Sequence, residues 1–356
     1  MTQGLYLDAN ATEPLRPEAR AAAIIALDTI GNPSSVHAEG RAARRLLEES
    51  RARIAVTFGA APAEVVLTAG GTEANAMAVH GLGRGRRILV GATEHPAVLA
   101  TAPGATVLPV LADGTIDLAA LAAALADGPP ALLCLMAANN ETGVLHPLAE
   151  AAALCRQHGA MLHVDAVQAA GRVVTGLGAA DSLALSGHKL GGPKGAGALI
   201  LRPGLALAPL LAGGGQERGR RGGTEALPAI AGMAAAAEAA QPTAAARLAA
   251  LRDAIEAGAG LPVAGATAPR LPNTTSLVVP GTPAETLVIA LDLEGVRVSA
   301  GSACSSGKVG RSHVLDAMGL GEAAGQAIRI SLPWNAPDDA PARFLAALAR
   351  VRARRL

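Results

Sequence analysis

Through the first two thirds of the chain, short runs of aliphatic and β-branched residues alternate with stretches whose apolar positions recur at helical spacing. Glu64–Thr68 (EVVLT), Arg87–Gly91 (RILVG), Ala105–Val110 (ATVLPV), Ala131–Met136 (ALLCLM), Met161–Val164 (MLHV), Ser182–Ser186 (SLALS) and Gly197–Leu201 (GALIL) read as strands. None alternates cleanly between apolar and polar side chains, which is the pattern of strands covered on both faces. Helical segments lie between several of them, at Ala38–Val56, Glu73–Gly81, Leu118–Ala126 and Pro147–His158. That alternation predicts a mainly parallel sheet clothed by helices, an α/β fold. A long alanine-rich helix is expected around Ala229–Ala257. Beyond it, Thr275–Val279, a helix at Ala284–Glu294, Val296–Ser299, Ala327–Leu332 and a last helix from about Asp339 suit a smaller α+β unit.

A length of 356 residues suggests about two domains. Apolar residues make 51% of the chain but aromatic ones only 1%, so the core is expected to pack closely on short side chains. A net charge of +1 gives no electrostatic footprint for nucleic acid or an anionic membrane, and neither is expected as a partner. The first residues, MTQGLYLDAN, show no basic region followed by an apolar run, and no stretch reaches the ~18 strongly apolar residues of a membrane span. Three cysteines, Cys134, Cys155 and Cys304, are an odd number without disulfide or metal spacing, which predicts a reducing, cytoplasmic setting and no metal.

Of 30 basic residues only three are lysines: Lys189, Lys194 and Lys308. Where arginine serves as the general cation, a retained lysine is a candidate for chemistry that a guanidinium cannot do, such as losing its proton and forming a Schiff base. Lys189 follows a strand in Ser186-Gly-His188-Lys189, and a glycine-rich stretch comes next. Lys194, in a Gly-Pro-Lys turn, reads as solvated.

Other polar clusters also fall at strand ends, where ligands bind in open α/β sheets. Thr68-Ala-Gly-Gly71-Thr72-Glu-Ala-Asn75 opens a helix, either as a phosphate site or as an ordinary N-cap. Asp165, with Gln168 three residues on, either meets a pyridinium nitrogen or caps a helix. His95 either stacks on a ring and moves protons or is structural. Asn139-Asn140-Glu141-Thr142-Gly143 reads first as a turn and then as a ligand contact. Cys304 sits in SAGSACSSGK, a run of small residues with nothing bulky to pack the sulfur. That run is not a phosphate loop, because five residues separate Gly301 from Gly307 where four are needed, and Val309 replaces the metal-binding hydroxyl. His37-Ala-Glu39 lacks the Pro-Cys-x-x-Cys of a zinc deaminase, and no GxSxG elbow is present.

Leu7-Asp8-Ala-Asn10-Ala-Thr12-Glu13-Pro14, Asn32-Pro-Ser-Ser-Val-His37, TAGGTEAN, TEHPAVL, NNETG, HVDAVQ, SGHKLGGPKG, GGGQERGRRGGT and SAGSACSS stand in the order of a cysteine desulfurase. Over nearly its whole length the chain resembles the NifS/IscS type within the class V aminotransferase group of pyridoxal-phosphate enzymes. The resemblance implies a fold-type-I architecture with a mainly parallel seven-stranded sheet in a large domain, 16–245. A small α+β domain, from 1–15 and 246–356, would carry the cysteine loop.

It also implies roles. Lys189 is similar to the Schiff-base lysine, Asp165 to the pyridinium partner, and Gln168 to the contact of the phenolic oxygen. His95 would stack on the ring and move protons; Gly71, Thr72, Ser186 and His188 would hold the phosphate. Thr224 would reach the phosphate of the other subunit in a homodimer. Asn140, also a cofactor contact, and Arg329 would grip the substrate carboxylate. Cys304 would be the nucleophile that takes sulfur from L-cysteine as a persulfide and hands it to an acceptor protein serving iron–sulfur cluster, thio-cofactor or tRNA biosynthesis. Cys134 and Cys155 would be inert core residues. Glu13 departs from the family's usual second threonine, and the tail ends sooner than in the housekeeping branch. The alternatives are a selenocysteine lyase or another class V aminotransferase on the same fold, and, in a different class, a silent sulfur-carrier scaffold.

Overall fold

The computed structural model describes residues 4–126, 128–240, 242–301 and 311–354. Cys304 and Lys308 lie outside the described residues. In chain order the strands are β1 (Leu5–Tyr6), β2 (Val65–Thr68), β3 (Arg87–Gly91), β4 (Thr106–Leu108), β5 (Ala131–Met136), β6 (Met161–Asp165), β7 (Ser182–Ser186), β8 (Gly197–Leu201), β9 (Thr274–Val278), β10 (Val296–Arg297), β11 (Ser299–Ala300) and β12 (Ala327–Ser331).

Seven strands form one sheet in the order β2-β8-β7-β6-β5-β3-β4. Only β8 runs against its neighbours; the others point the same way, so their C-terminal ends share one edge. Every residue of β2, β5, β7 and β8 is buried, as their unbroken apolar texture requires. Helices Ala38–Thr57, Gly71–Leu82, Leu118–Ala126 and Leu148–Gln157 fall where helical spacing was read. The predicted strand over Ala105–Val110 is shorter, because Pro109 has no amide to give the ladder.

The single helix expected around Ala229–Ala257 is two, Leu227–Ala239 and Ala245–Ala259. A 3-10 turn at Pro242–Ala244 separates them, and a proline cannot donate in a continuing helix. The first of the two is buried from Ile230 through Ala237, its mostly small side chains letting neighbouring elements pack close on every side. Helix Pro17–Leu27, not anticipated from the pattern, packs against it.

The run Val296–Ser299 also divides: β10 pairs with β1, whereas β11 joins the antiparallel sheet β11-β12-β9. Leu5 and Leu7 share an apolar cluster with Leu248, Ile255, Ile328, Phe344 and Val351, so the N-terminal stretch packs with the C-terminal part of the chain. No helix among the described residues is long and apolar enough to cross a membrane.

Candidate active site

The shared strand edge opens on a cavity of about 710 Å³. Each sheet strand that reaches it contributes a polar residue just past its C-terminal end. Gly71 and Thr72 follow β2, His95 follows β3, Asn140 follows β5, and His188 and Lys189 follow β7. Asp165 and Ser186 are the last residues of β6 and β7, and Gln168 lies three residues after Asp165. Arg329 comes from the other sheet, in the middle of β12. All of these line the same cavity. Thr224 is exposed and is not among its lining residues.

Helix Gly71–Leu82 begins at the cavity with Thr72 exposed to it, so unpaired first-turn amides face the space. A Cβ at residue 71 would come within 2.6 Å of Val167, so only glycine fits this close approach. The result is a ready anion cradle.

Asp165 is 6% exposed and holds two donors: Asn75 Nδ2 at 2.6 Å and the Val167 amide at 2.9 Å. Its pKa is raised by burial, which those donors with His95 and Lys189 offset only in part. His95 Nδ1 accepts the Ala97 amide at 3.1 Å, which leaves the ring proton on Nε2. Burial lowers its pKa, with Asp165 opposing and Lys189 reinforcing the shift, so the ring is neutral. His188 is driven down to about 4, by burial first and then by Lys189 and Lys194. Its Nδ1 lies 3.1 Å from Thr12 Oγ1. Lys194 is exposed at the cavity rim.

Lys189 Nζ donates to the carbonyls of Asn10 and Ala11, the latter at 2.9 Å. Gln168 Nε2 also donates to Asn10 O, at 2.9 Å, while its Oε1 accepts from Arg172. Arg172 is paired in turn with Glu13, which accepts the Trp334 amide as well. Glu13 thus helps to fix the amide of Gln168. Arg329, 3% exposed, donates to Asp8 at 2.7 Å and to Asn140 O at 3.1 Å, and among the described residues its Nε has no partner. A guanidinium lining the cavity has the planar fork that suits a carboxylate.

Sequence reasoning gave no role to Asn10 or Asn75, although both were in view within LDANAT and TAGGTEAN. An asparagine inside helix Gly71–Leu82 was the available signal, since it disfavours helix interiors unless bonded. Cys134 and Cys155 are buried and unpaired; burial raises both thiol pKa values, that of Cys155 to about 11.

Residues 5–339 match the class-V aminotransferase family. The chain is 43% identical over 350 residues to a cysteine desulfurase of Cereibacter sphaeroides, covering 92% of this chain and 90% of that one. It is 40% identical over 356 residues to an IscS-like cysteine desulfurase of Mycobacterium tuberculosis, covering 92% and 91%. Among solved structures, a NifS-like protein from Rickettsia africae superposes with a TM-score of 0.91 at 33% identity, over 98% of this chain and 99% of that one. The protein SspA, solved in complex with cysteine, gives 0.80 at 31% identity over 92% and 99%. The chain belongs to the class-V aminotransferase family. Within that family it groups with the cysteine desulfurases.

Proposed function

We propose that this protein uses pyridoxal phosphate to convert L-cysteine to L-alanine, with transfer of the sulfur to Cys304 as a persulfide. The observation that carries the reading is the meeting of Lys189, Asp165, His95 and Arg329 on one cavity. The cavity suits the cofactor chemically: a helix N-terminus for its phosphate, a buried carboxylate for its ring nitrogen and an amine for covalent attachment. Thr72, Gly71, Ser186 and His188 would hold the phosphate, Asp165 the ring nitrogen, Gln168 the phenolic oxygen and Lys189 the aldehyde carbon. When bound, the group supplies an electron sink for the bond broken at the substrate Cα.

The chain's own residues do the rest. Arg329 and Asn140 grip the substrate carboxylate and so fix which Cα bond faces Lys189. Lys189 takes the proton from that carbon. His95, with its proton on Nε2 and Nδ1 already occupied, acts as a donor to the substrate. The Cys304 thiolate attacks the substrate sulfur; a sulfur–sulfur bond forms as the Cβ–S bond breaks, and the carbon fragment takes up protons to leave as alanine.

We further propose a large domain over 16–245 and a small one from 1–15 and 246–356, in keeping with the cluster shared by Leu5, Leu7 and Val351. A homodimer is supported by Ile25, Leu27, Ile30 and Val36, all at least 63% exposed within one short stretch. In it Thr224 would serve the partner's phosphate. The persulfide would pass to an acceptor protein in the cytoplasm.

Borohydride reduction and peptide mapping should find the pyridoxyl group on Lys189. After brief exposure to cysteine, mass spectrometry should find one added sulfur on the Cys304 peptide, with alanine released. A Cys304→Ala variant that keeps full alanine production from cysteine would overturn the desulfurase reading in favour of a lyase or aminotransferase.

A further inference from the structure

Three buried side chains behind Asp165 take no part in the reaction just described, yet they form an unbroken line to it. Ser182 Oγ lies 2.8 Å from His163 Nδ1, His163 Nε2 lies 2.9 Å from Asn75 Oδ1, and Asn75 Nδ2 lies 2.6 Å from Asp165 Oδ2. Each belongs to regular structure. His163 is two residues before Asp165 on β6, Ser182 is its register partner on β7, and Asn75 is on helix Gly71–Leu82. Ser182 and His163 are fully buried, and Asn75 is 1% exposed.

Burial drives the His163 pKa down to about 3, so its imidazole carries one proton and must donate from one nitrogen while accepting at the other. The Asn75 amide has the same constraint, donating from Nδ2 and accepting at Oδ1. The directions of the three bonds are therefore linked. In one setting Ser182 donates to Nδ1, Nε2–H donates to Asn75 Oδ1, and Nδ2 donates to an ionised Asp165. In the other, Asp165 is protonated and donates, the amide is turned over, and His163 donates from Nδ1 to Ser182. A mixed setting sets two donors or two acceptors face to face without water, which costs the desolvation of a buried polar group.

We propose that Ser182, His163 and Asn75 are positioning residues that hold Asp165 as an ionised carboxylate, with His163 fixed as the Nε2–H tautomer. The other groups that face Asp165 act on the same equilibrium. His95 and Lys189 favour the carboxylate, as does the Val167 amide, and the charge of Asp165 in turn helps to raise the pKa of the neighbouring Glu94 and Cys134. The inference rests on Asp165 being the partner of the cofactor ring nitrogen, but the tautomer can be read without any cofactor.

The test is nitrogen NMR of the full chain with labelled histidine, together with the pH dependence of pyridoxal-phosphate affinity in wild type, Asn75→Ala and Ser182→Ala. A His163 ring protonated at Nε2 only, at neutral pH, is expected; a ring protonated at Nδ1 overturns the proposal. Asn75→Ala should weaken pyridoxal-phosphate binding roughly tenfold at neutral pH, the loss of a hydrogen bond to a buried charge. Its loss of affinity on acidification should begin at higher pH than in wild type, and Ser182→Ala should shift the same way by less. Packing damage alone would lower affinity at every pH and leave the midpoint unmoved; coincident midpoints in all three proteins overturn the proposal. A wild type that binds no pyridoxal phosphate would sink the proposed function, leaving the NMR result to decide the relay.

Discussion

Asp8 Oδ1 and Arg329 Nη2 form a 2.7 Å ion pair, which ties the N-terminal stretch to the middle of β12 at the cavity wall. The carboxylate takes one edge of the guanidinium, Asn140 O takes another, and Nε is left with no partner among the described residues. Arg329→Lys keeps the charge but loses the planar fork, so it should raise KM for L-cysteine by about tenfold or more. Cofactor binding should be unchanged. Steady-state kinetics beside a pyridoxal-phosphate titration separate these, and an unchanged KM would remove Arg329 from carboxylate recognition.

Glu141 governs a pH effect of definite sign. It is 3% exposed and accepts Ser312 Oγ at 2.5 Å, and a Cβ at Gly301 would collide with its Oε2. Burial pushes its pKa up to about 7, with Ser312 and Arg329 pulling the other way. A folded pKa above the unfolded one stabilises fully below the ordinary 4.5, and that contribution is lost as pH rises through about 7. Glu141→Gln keeps the acceptor and removes the titration. Between pH 5 and pH 8 the stability of wild type should fall relative to the variant by roughly 2–3 kcal/mol. Urea midpoints that track each other across that range would refute this.

Much of this was legible in the chain because its chemistry stands at strand ends. An apolar run followed by Asp165, or by Ser186-Gly-His188-Lys189, announces both the strand and the side chain at its edge. Boundaries were less legible. Pro109 shortens β4, and Val296–Ser299 divides because its halves pair with β1 and β12, strands distant in sequence. Long-range polar partners left no local trace. His163 sits in MLHVD like any buried strand residue, and only the fold brings Ser182 and Asn75 to its two nitrogens. Glu13 was visible as a departure from its family; its pairing with Arg172 and hence with Gln168 was not.

Glu217 is the buried anchor of the segment leading to Thr224, which Arg220 and Arg221 also tie down, to Ala63 O and Val65 O and to Glu73. Glu217, its side chain fully buried, is paired with Arg51 at 2.6 Å and accepts the Leu67 amide at 2.9 Å. Glu217 and Arg218 both adopt left-handed backbone, at φ 50° and 60°. Glu217→Ala leaves Arg51 buried with only Glu48 and a carbonyl, and should cost about 3–5 kcal/mol in chemical denaturation. Arg218 is exposed, so Arg218→Gly relieves the backbone without losing a buried contact and should be neutral or stabilising by up to about 1 kcal/mol. Equal losses from both substitutions would contradict the anchoring role of Glu217.

Thiol reactivity should separate the three cysteines. Cys134 lies at the centre of β5 and Cys155 on the inner face of helix Leu148–Gln157, and neither is more than 1% exposed. The attacking species in disulfide exchange is the thiolate. With the Cys155 pKa raised to about 11 and that of Cys134 pushed higher by burial, almost none is present at neutral pH. Ellman's reagent added to the native protein should therefore titrate one thiol quickly, and the other two only after denaturation. Cys304→Ala should abolish the fast phase and leave the two slow thiols, while Cys134→Ala and Cys155→Ala should keep it. Fast labelling that survives in Cys304→Ala would show that a core thiol is reached in the native state, against the burial on which this assignment depends.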